Sequence, residues 1–267
     1  MFAPRPDLEG KLALIDAETA ALGLTRTIEL RVKLPRSGAE AVIRGYDGRD
    51  VTGRPVHAAR VATPLGVVLA LGPLDAGDLD RGAATAIVPA LLGDERAGAY
   101  RSGSDLDGDG RLDVVLRSDA GALAVWHFDM VGSGAYEISM RAPPLRGIDV
   151  DADGRVDLEG EIAPVAGDPI APRFRDLATF AEGRYTNATI TARAYHARRA
   201  EASVAAIGAP DEARLRASLE RAWHEIAGGQ RSAENVLRAL RKEPVPSRLR
   251  ASFDAHVEVI AGAAPAR

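Results

Sequence analysis

The chain has 267 residues, of which 46% are apolar and 27% charged, and its formal net charge is −4. That composition suits a folded chain with a real hydrophobic core and excludes a disordered one. The charge gives no electrostatic footprint for nucleic acid or an anionic membrane surface, and no apolar run reaches the length of a membrane span.

Asp7 to Leu22 reads as a first helix, with Leu8, Leu12, Ile15 and Leu22 on one face and Gly23 at its end. "TIELRVKL" then alternates, with Ile28, Leu30, Val32 and Leu34 inward and the charged residues outward, which predicts a half-buried strand. "AEAVIRGY" reads as its neighbour across the "PRSG" turn. "RPVHAARVAT" and "GVVLALG" form a second pair. The latter has no polar face, which predicts a central strand. Asp78 to Leu92 reads as a helix with a kink at Pro89.

From Tyr100 to about Ala163 the pattern becomes a meander of short strands: "LDVVLR", "ALAVWHF", "AYEISMR" and "RVDLEGEI". Ala163 to Arg173 is rich in Pro and Gly and reads as a linker or surface loop. Beyond Asn187 the spacing predicts helices almost to the end. One stripe carries Leu215, Leu219, Trp223 and Ile226, and another carries Leu249, Phe253, Val257 and Ile260. The basic run "RAYHARRAEA" reads as a solvated helix face. The chain start lacks the basic head, apolar run and cleavage site of a secretory signal, which fits either a protein that stays inside or a mature form.

Two stretches concentrate aspartate. In "SDLDGDGRLDVVL" the acids stand at loop positions one, three, five and nine, as Asp105, Asp107, Asp109 and Asp113, with Gly110 at six. In "IDVDADGRVDL" they are Asp149, Asp151, Asp153 and Asp157, with Gly154 at six. Calcium takes about six to eight hard oxygen ligands, and alternating residues of a tight loop can turn their carboxylates to one centre. The carbonyls of Arg111 and Arg155 fall at position seven as main-chain ligands. Four carboxylates so close repel one another until a cation arrives. The simpler alternative, an acidic solvated turn, does not account for two matches with the same glycine and the same ninth acid.

Position twelve is Leu116 in one loop and Gly160 in the other, and strands follow both, so neither loop fits an EF-hand. "DLDGDGRLDVVLRSDAGALAVWHFD" instead resembles the FG-GAP or VCBS type of repeat. The likeness is specific over Asp105 to Asp129 and weaker over Asp149 to Ile162. In that family such repeats bind calcium and usually form propeller blades. With two loops only, the resemblance implies calcium binding but not a propeller, which needs about four to eight blades.

Other chemistry is sparse. With no cysteine there are no disulfides, zinc thiolates or cysteine nucleophiles. None of His57, His127, His196, His224 and His256 stands at metal-ligand spacing from another. "HEIAG" lacks the second histidine of a zinc-protease helix, and "MVGSGAY" lacks the first glycine of a nucleophile elbow. His127 and Asp129 share one face of a strand, as a dyad would need, but a solvated face explains them more simply.

The sequence thus predicts an α+β fold: an antiparallel β meander carrying two DxDxDGxxD calcium loops, an N-terminal α/β-patterned part and a helical C-terminal part. The expected bounds are 1–99, 100–163 for the meander, 164–186 for a linker and 187–262 for the helices. The expected function is a calcium-binding, non-catalytic, extracytoplasmic protein acting in surface adhesion or recognition of a protein or glycan. The alternative is a secreted or periplasmic hydrolase in which calcium only supports the fold.

Overall fold

The computed structural model describes residues 7–73, 85–92, 100–118 and 120–263. It combines helices with antiparallel sheets, an α+β chain that divides into two compact units between Glu137 and Ile138. The stretch expected to form one meander is therefore shared: the first aspartate loop belongs to the N-terminal unit and the second to the C-terminal unit.

In the N-terminal unit, helix α1 (Leu8–Ala21) starts where Asp7 caps it, the carboxylate accepting from the Gly10 amide at 2.8 Å. Strands β1 (Thr25–Lys33), β2 (Glu40–Arg49), β3 (Pro55–Thr63) and β4 (Gly66–Leu71) make a four-stranded antiparallel sheet in sequence order. One face of it packs on α1 through Leu12, Ile15, Val42 and Tyr46. The other packs on a second sheet, formed by β5 (Thr85–Ile87), β6 (Leu112–Ser118), β7 (Leu123–Phe128) and β8 (Ser133–Ala135). Ile43, Val61, Leu69, Val114, Leu116 and Phe128 fill the space between them.

Two expectations for this unit change. β4 pairs only with β3 and lies at the edge of its sheet among the described residues, not at the centre. An apolar run reports which faces are covered, not which side carries a hydrogen-bonded neighbour, and here even Val67 is 47% exposed. The helix expected over Asp78 to Leu92 lies partly outside the described residues. Its described part opens with strand β5, whose Thr85–Ile87 pairs with Leu116–Ser118.

In the C-terminal unit a five-stranded sheet runs β10 (Pro144–Ile148), β11 (Asp157–Ile162), β12 (Phe174–Ala181), β13 (Arg184–Thr186), β9 (Ile138–Ser139), with only the last pair parallel. Helices α2 (Ile190–Ala202), α3 (Asp211–Ala227), α4 (Ala233–Leu240) and α5 (Arg250–Ala263) follow, as their spacing predicts. Leu215, Leu219, Trp223, Ile226, Leu249, Phe253, Val257 and Ile260 all enter one buried cluster.

The linker expected over 164–186 is corrected. Residues 174–186 form β12 and β13, and β12 is the middle strand of the sheet. The Pro- and Gly-rich run before it is a loop, but a fixed one: Ile170 is fully buried, and the Asp168 carboxylate accepts from Ser252 Oγ at 2.5 Å and pairs with His256. The turn residues signalled a break in regular structure and said nothing about burial.

Candidate metal centres

Each aspartate loop joins two antiparallel backbone segments, and the two are closed in the same way. In the first, Ser104 bridges to Asp113, and the Asp113 amide donates to the Ser104 carbonyl at 2.8 Å. In the second, Ile148 of β10 pairs with Asp157 of β11. The residue before position one thus faces position nine in both loops. The ninth carboxylate turns back over the loop and accepts from the amide at position two. Leu106 donates to Asp113 Oδ2 at 2.7 Å, and Val150 donates to Asp157 Oδ2 at 3.0 Å.

The fifth carboxylate likewise accepts from the seventh amide: Arg111 to Asp109 Oδ1 at 2.7 Å, and Arg155 to Asp153 Oδ1 at 2.8 Å. The first carboxylate accepts from amides further along its own loop. Gly108 and Gly110 donate to Asp105 at 2.8 and 2.9 Å, and Asp153 donates to Asp149 at 3.1 Å. These Asx-type bonds fold the loop so that alternate side chains converge.

Backbone sign repeats as well. Positions four and six have positive φ in both loops: Gly108 at 78° and Gly110 at 83°, Ala152 at 60° and Gly154 at 87°. An alanine in the left-handed region costs about 1 kcal/mol relative to glycine. Ala152→Gly is therefore expected to stabilise the chain by up to about 1 kcal/mol without altering the ligand set, a gain to be read as a higher midpoint in urea unfolding.

Convergence is clear for three acids of each loop. One carboxylate oxygen from each of Asp105, Asp107 and Asp109 lies within 4.8 Å of the others, and so do those of Asp149, Asp151 and Asp153. Both sets can hold a metal ion. Asp113 and Asp157 sit at the base of their loops, 0% and 5% exposed. The backbone of Arg111 and Arg155 occupies the seventh position in each.

The loops differ in burial, which the sequence did not reveal. In the first, Asp107 is 1% exposed, and Asp107 Oδ2 and Asp113 Oδ1 are buried with no hydrogen-bond partner. A buried carboxylate oxygen without a donor is costly, and either a cation or a proton relieves that cost. Burial, with the neighbouring aspartates adding repulsion, pushes the Asp113 carboxyl up to about 9 and raises that of Asp107. In the second loop Asp151 and Asp153 are exposed, and Thr191 of α2 donates to Asp151 at 3.0 Å. There burial pushes Asp157 up to about 7.

Tyr136 is a site residue that the sequence does not mark. Its hydroxyl donates to Asp109 Oδ2 at 2.8 Å, 27 residues away in the chain, so no spacing could have pointed to it. Burial and the adjoining carboxylates hold that phenol above its ordinary range.

His127 and Asp129 do not form a dyad. Arg111 donates to His127 Nδ1 at 2.9 Å, while Asp129 Oδ1 accepts from the amides of Val131 and Gly132 at 2.9 and 3.1 Å. Burial and Arg111 lower the His127 pKa, so the ring is a neutral acceptor.

Histidines do meet elsewhere. His196 of α2 and His224 of α3 bring their Nδ1 atoms to 2.9 Å, and His196 Nε2 lies 3.0 Å from Asp176 Oδ1 in β12. Both ring nitrogens of His196 and the Nδ1 of His224 are engaged in this way, and both residues are buried. The basic run of α2 is therefore not a purely solvated face: Tyr195 and His196 are buried, while Arg193 and Arg198 are exposed.

Compared with known proteins, the chain matches no family model, no curated protein and no solved structure. Among the described residues no helix is long and apolar enough to cross a membrane.

Proposed function

We propose that this is a calcium-binding protein in which two DxDxDGxxD loops of the FG-GAP or VCBS type hold structural calcium, and that its task is non-catalytic. The observation that carries the reading is the pair of buried, partnerless carboxylate oxygens, Asp107 Oδ2 and Asp113 Oδ1, beside converging Asp105 and Asp109. An all-oxygen, carboxylate-rich donor set is the chemistry of a hard cation. Calcium is favoured over magnesium because its flexible shell accommodates crowded carboxylates at about 2.3–2.6 Å, whereas magnesium demands a smaller, near-ideal octahedron.

In this reading the ligands of the first site are Asp105, Asp107, Asp109, Asp113 and the Arg111 carbonyl. Those of the second are Asp149, Asp151, Asp153, Asp157 and the Arg155 carbonyl. An extracytoplasmic setting follows from the metal, since free calcium is plentiful outside cells and scarce in the cytosol. Surface adhesion or recognition of a protein or glycan follows only from the FG-GAP resemblance.

Titration calorimetry of chelator-treated protein tests the metal. Two calcium sites are expected, with magnesium a poor substitute. Asp109→Ala should remove the first and Asp153→Ala the second. No calcium uptake in the millimolar range overturns the reading.

A further inference from the structure

The N-terminal unit leaves a long sheet edge open. Strand β1 runs nine residues, and among the described residues it pairs only with β2. The Leu34 N–H donates to the Ala39 carbonyl at 2.9 Å, so Leu34 turns its backbone toward β2. Alternate residues of an antiparallel strand turn the same way. Val32, Leu30 and Ile28 therefore bond to β2, while the N–H and C=O groups of Lys33, Arg31 and Glu29 point outward. No described backbone group meets them there. A row of unpaired donors and acceptors is a template for another strand.

Side chains on this edge divide by face. Ile28, Leu30 and Val32 pack toward the second sheet and stay partly exposed. Glu29 and Arg31 lie on the opposite face, 3.0 Å apart, with side chains 28% and 40% exposed. Charges on an edge ordinarily keep a second strand away. Here their order admits one arrangement.

We propose that β1 pairs antiparallel with β1 of a second copy about a two-fold axis at Leu30, joining the two four-stranded sheets edge to edge. In that register Glu29 of each copy faces Arg31 of the other. Opposite charges meet at both positions, and each pair exchanges its outward N–H···O bonds. Ile28 faces Val32 and Leu30 faces its own copy, so the apolar row runs on across the junction. A shift by two residues either way sets Glu29 against Glu29 or Arg31 against Arg31. A shift by one turns the apolar row of one copy onto the charged face of the other. The opposite edge of the sheet, β4, is shorter and has no charge to set a register. It is also interrupted by a bulge at Val68, whose carbonyl accepts from Ser133 Oγ.

The test follows the full chain by sedimentation velocity over a range of concentrations. A reversible dimer is expected by roughly 100 μM. Arg31→Glu puts like charges at both cross-strand positions and should weaken the dimer by roughly tenfold. That change also removes the ion pairs of Arg31 with Glu9 and Glu29, so its melting is recorded and Lys33→Pro serves as a second variant. Proline there deletes an outward N–H, leaves the β1–β2 ladder in place and should weaken the dimer again. Single cysteines read the register, since the chain has none of its own. Under mild oxidation Leu30→Cys should give a disulfide-linked dimer. Ile28→Cys alone should not, because its two copies lie about 13 Å apart, but it should cross-link to Val32→Cys in a mixture. A chain that stays monomeric at roughly 1 mM leaves this edge to another partner and overturns the proposal. So does a dimer that survives both folded variants, or one whose cross-linking favours Ile28 over Leu30.

Discussion

Adding calcium to the metal-free chain is expected to raise its calorimetric melting temperature, and chelator to lower it again. A ligand that binds only the folded state stabilises by RT ln(1 + [Ca]/Kd), about 2.7 kcal/mol per site at a hundredfold excess over Kd. For a unit of this size that corresponds to roughly 10 °C. The first loop should carry most of the response, because Asp107 and Asp113 are buried there without counter-charge, while Asp151 and Asp153 of the second are open to solvent.

Asp113→Asn separates loss of a ligand from a general destabilisation. The amide oxygen of Asn can still accept from the Leu106 amide, but the side chain can no longer ionise to bind a cation. The variant should melt no lower than the metal-free parent and lose the calcium response of the first site. A variant that melts lower than the metal-free parent yet still responds fully to calcium would contradict the assignment of Asp113.

The second large effect lies in the C-terminal unit. Asp176 is fully buried in β12 and accepts four hydrogen bonds: from His196 Nε2, from its neighbour Leu177, from the Arg141 amide and from Asn187 Nδ2. Asp176→Ala strands these donors in a closed core and is expected to cost about 3–5 kcal/mol, read as a fall in the urea midpoint.

The same cluster makes stability depend on pH. Burial, then the positive fields of His196 and Arg199, hold His224 down to about 3, against an opposing pull from Asp176; Arg175 adds to the lowering. Tyr195 packs edge-on to both rings, with Glu159 bound to its hydroxyl. A base whose folded pKa is depressed gives stability that is complete above its unfolded value near 6.5. That stability is lost as pH falls toward 3, at about 1.4 kcal/mol per pH unit. Burial alone would raise the Asp176 carboxyl, but the bonds from His196 and the Arg141 amide outweigh it and hold the group low. Asp176 therefore adds loss in the same direction below about pH 4. His224→Gln should flatten the slope between pH 6 and pH 4; an unchanged slope would place the acid sensitivity elsewhere.

Local signals determined much of this protein by themselves. The Asp7 cap, the stripes of α3 and α5 and the alternation of β1 each depend on residues within a few positions of one another, so the chain states them directly. The aspartate loops belong to the same class. Their acids, their glycines and their identical closure, position nine against the residue before position one, all lie within ten residues. Only the tertiary structure decided what depends on distant partners. It placed β12 at the centre of a sheet behind a Pro- and Gly-rich loop and β4 at an edge, because lateral hydrogen bonding leaves no trace in an apolar pattern. It brought His196 to His224 across 28 residues and Tyr136 to Asp109 across 27. It also buried the third-position acid of one loop, Asp107, and left its counterpart Asp151 exposed, although the two sequences nearly match. Burial is set by whatever packs around a loop, and that is why the first loop has orphaned carboxylate oxygens.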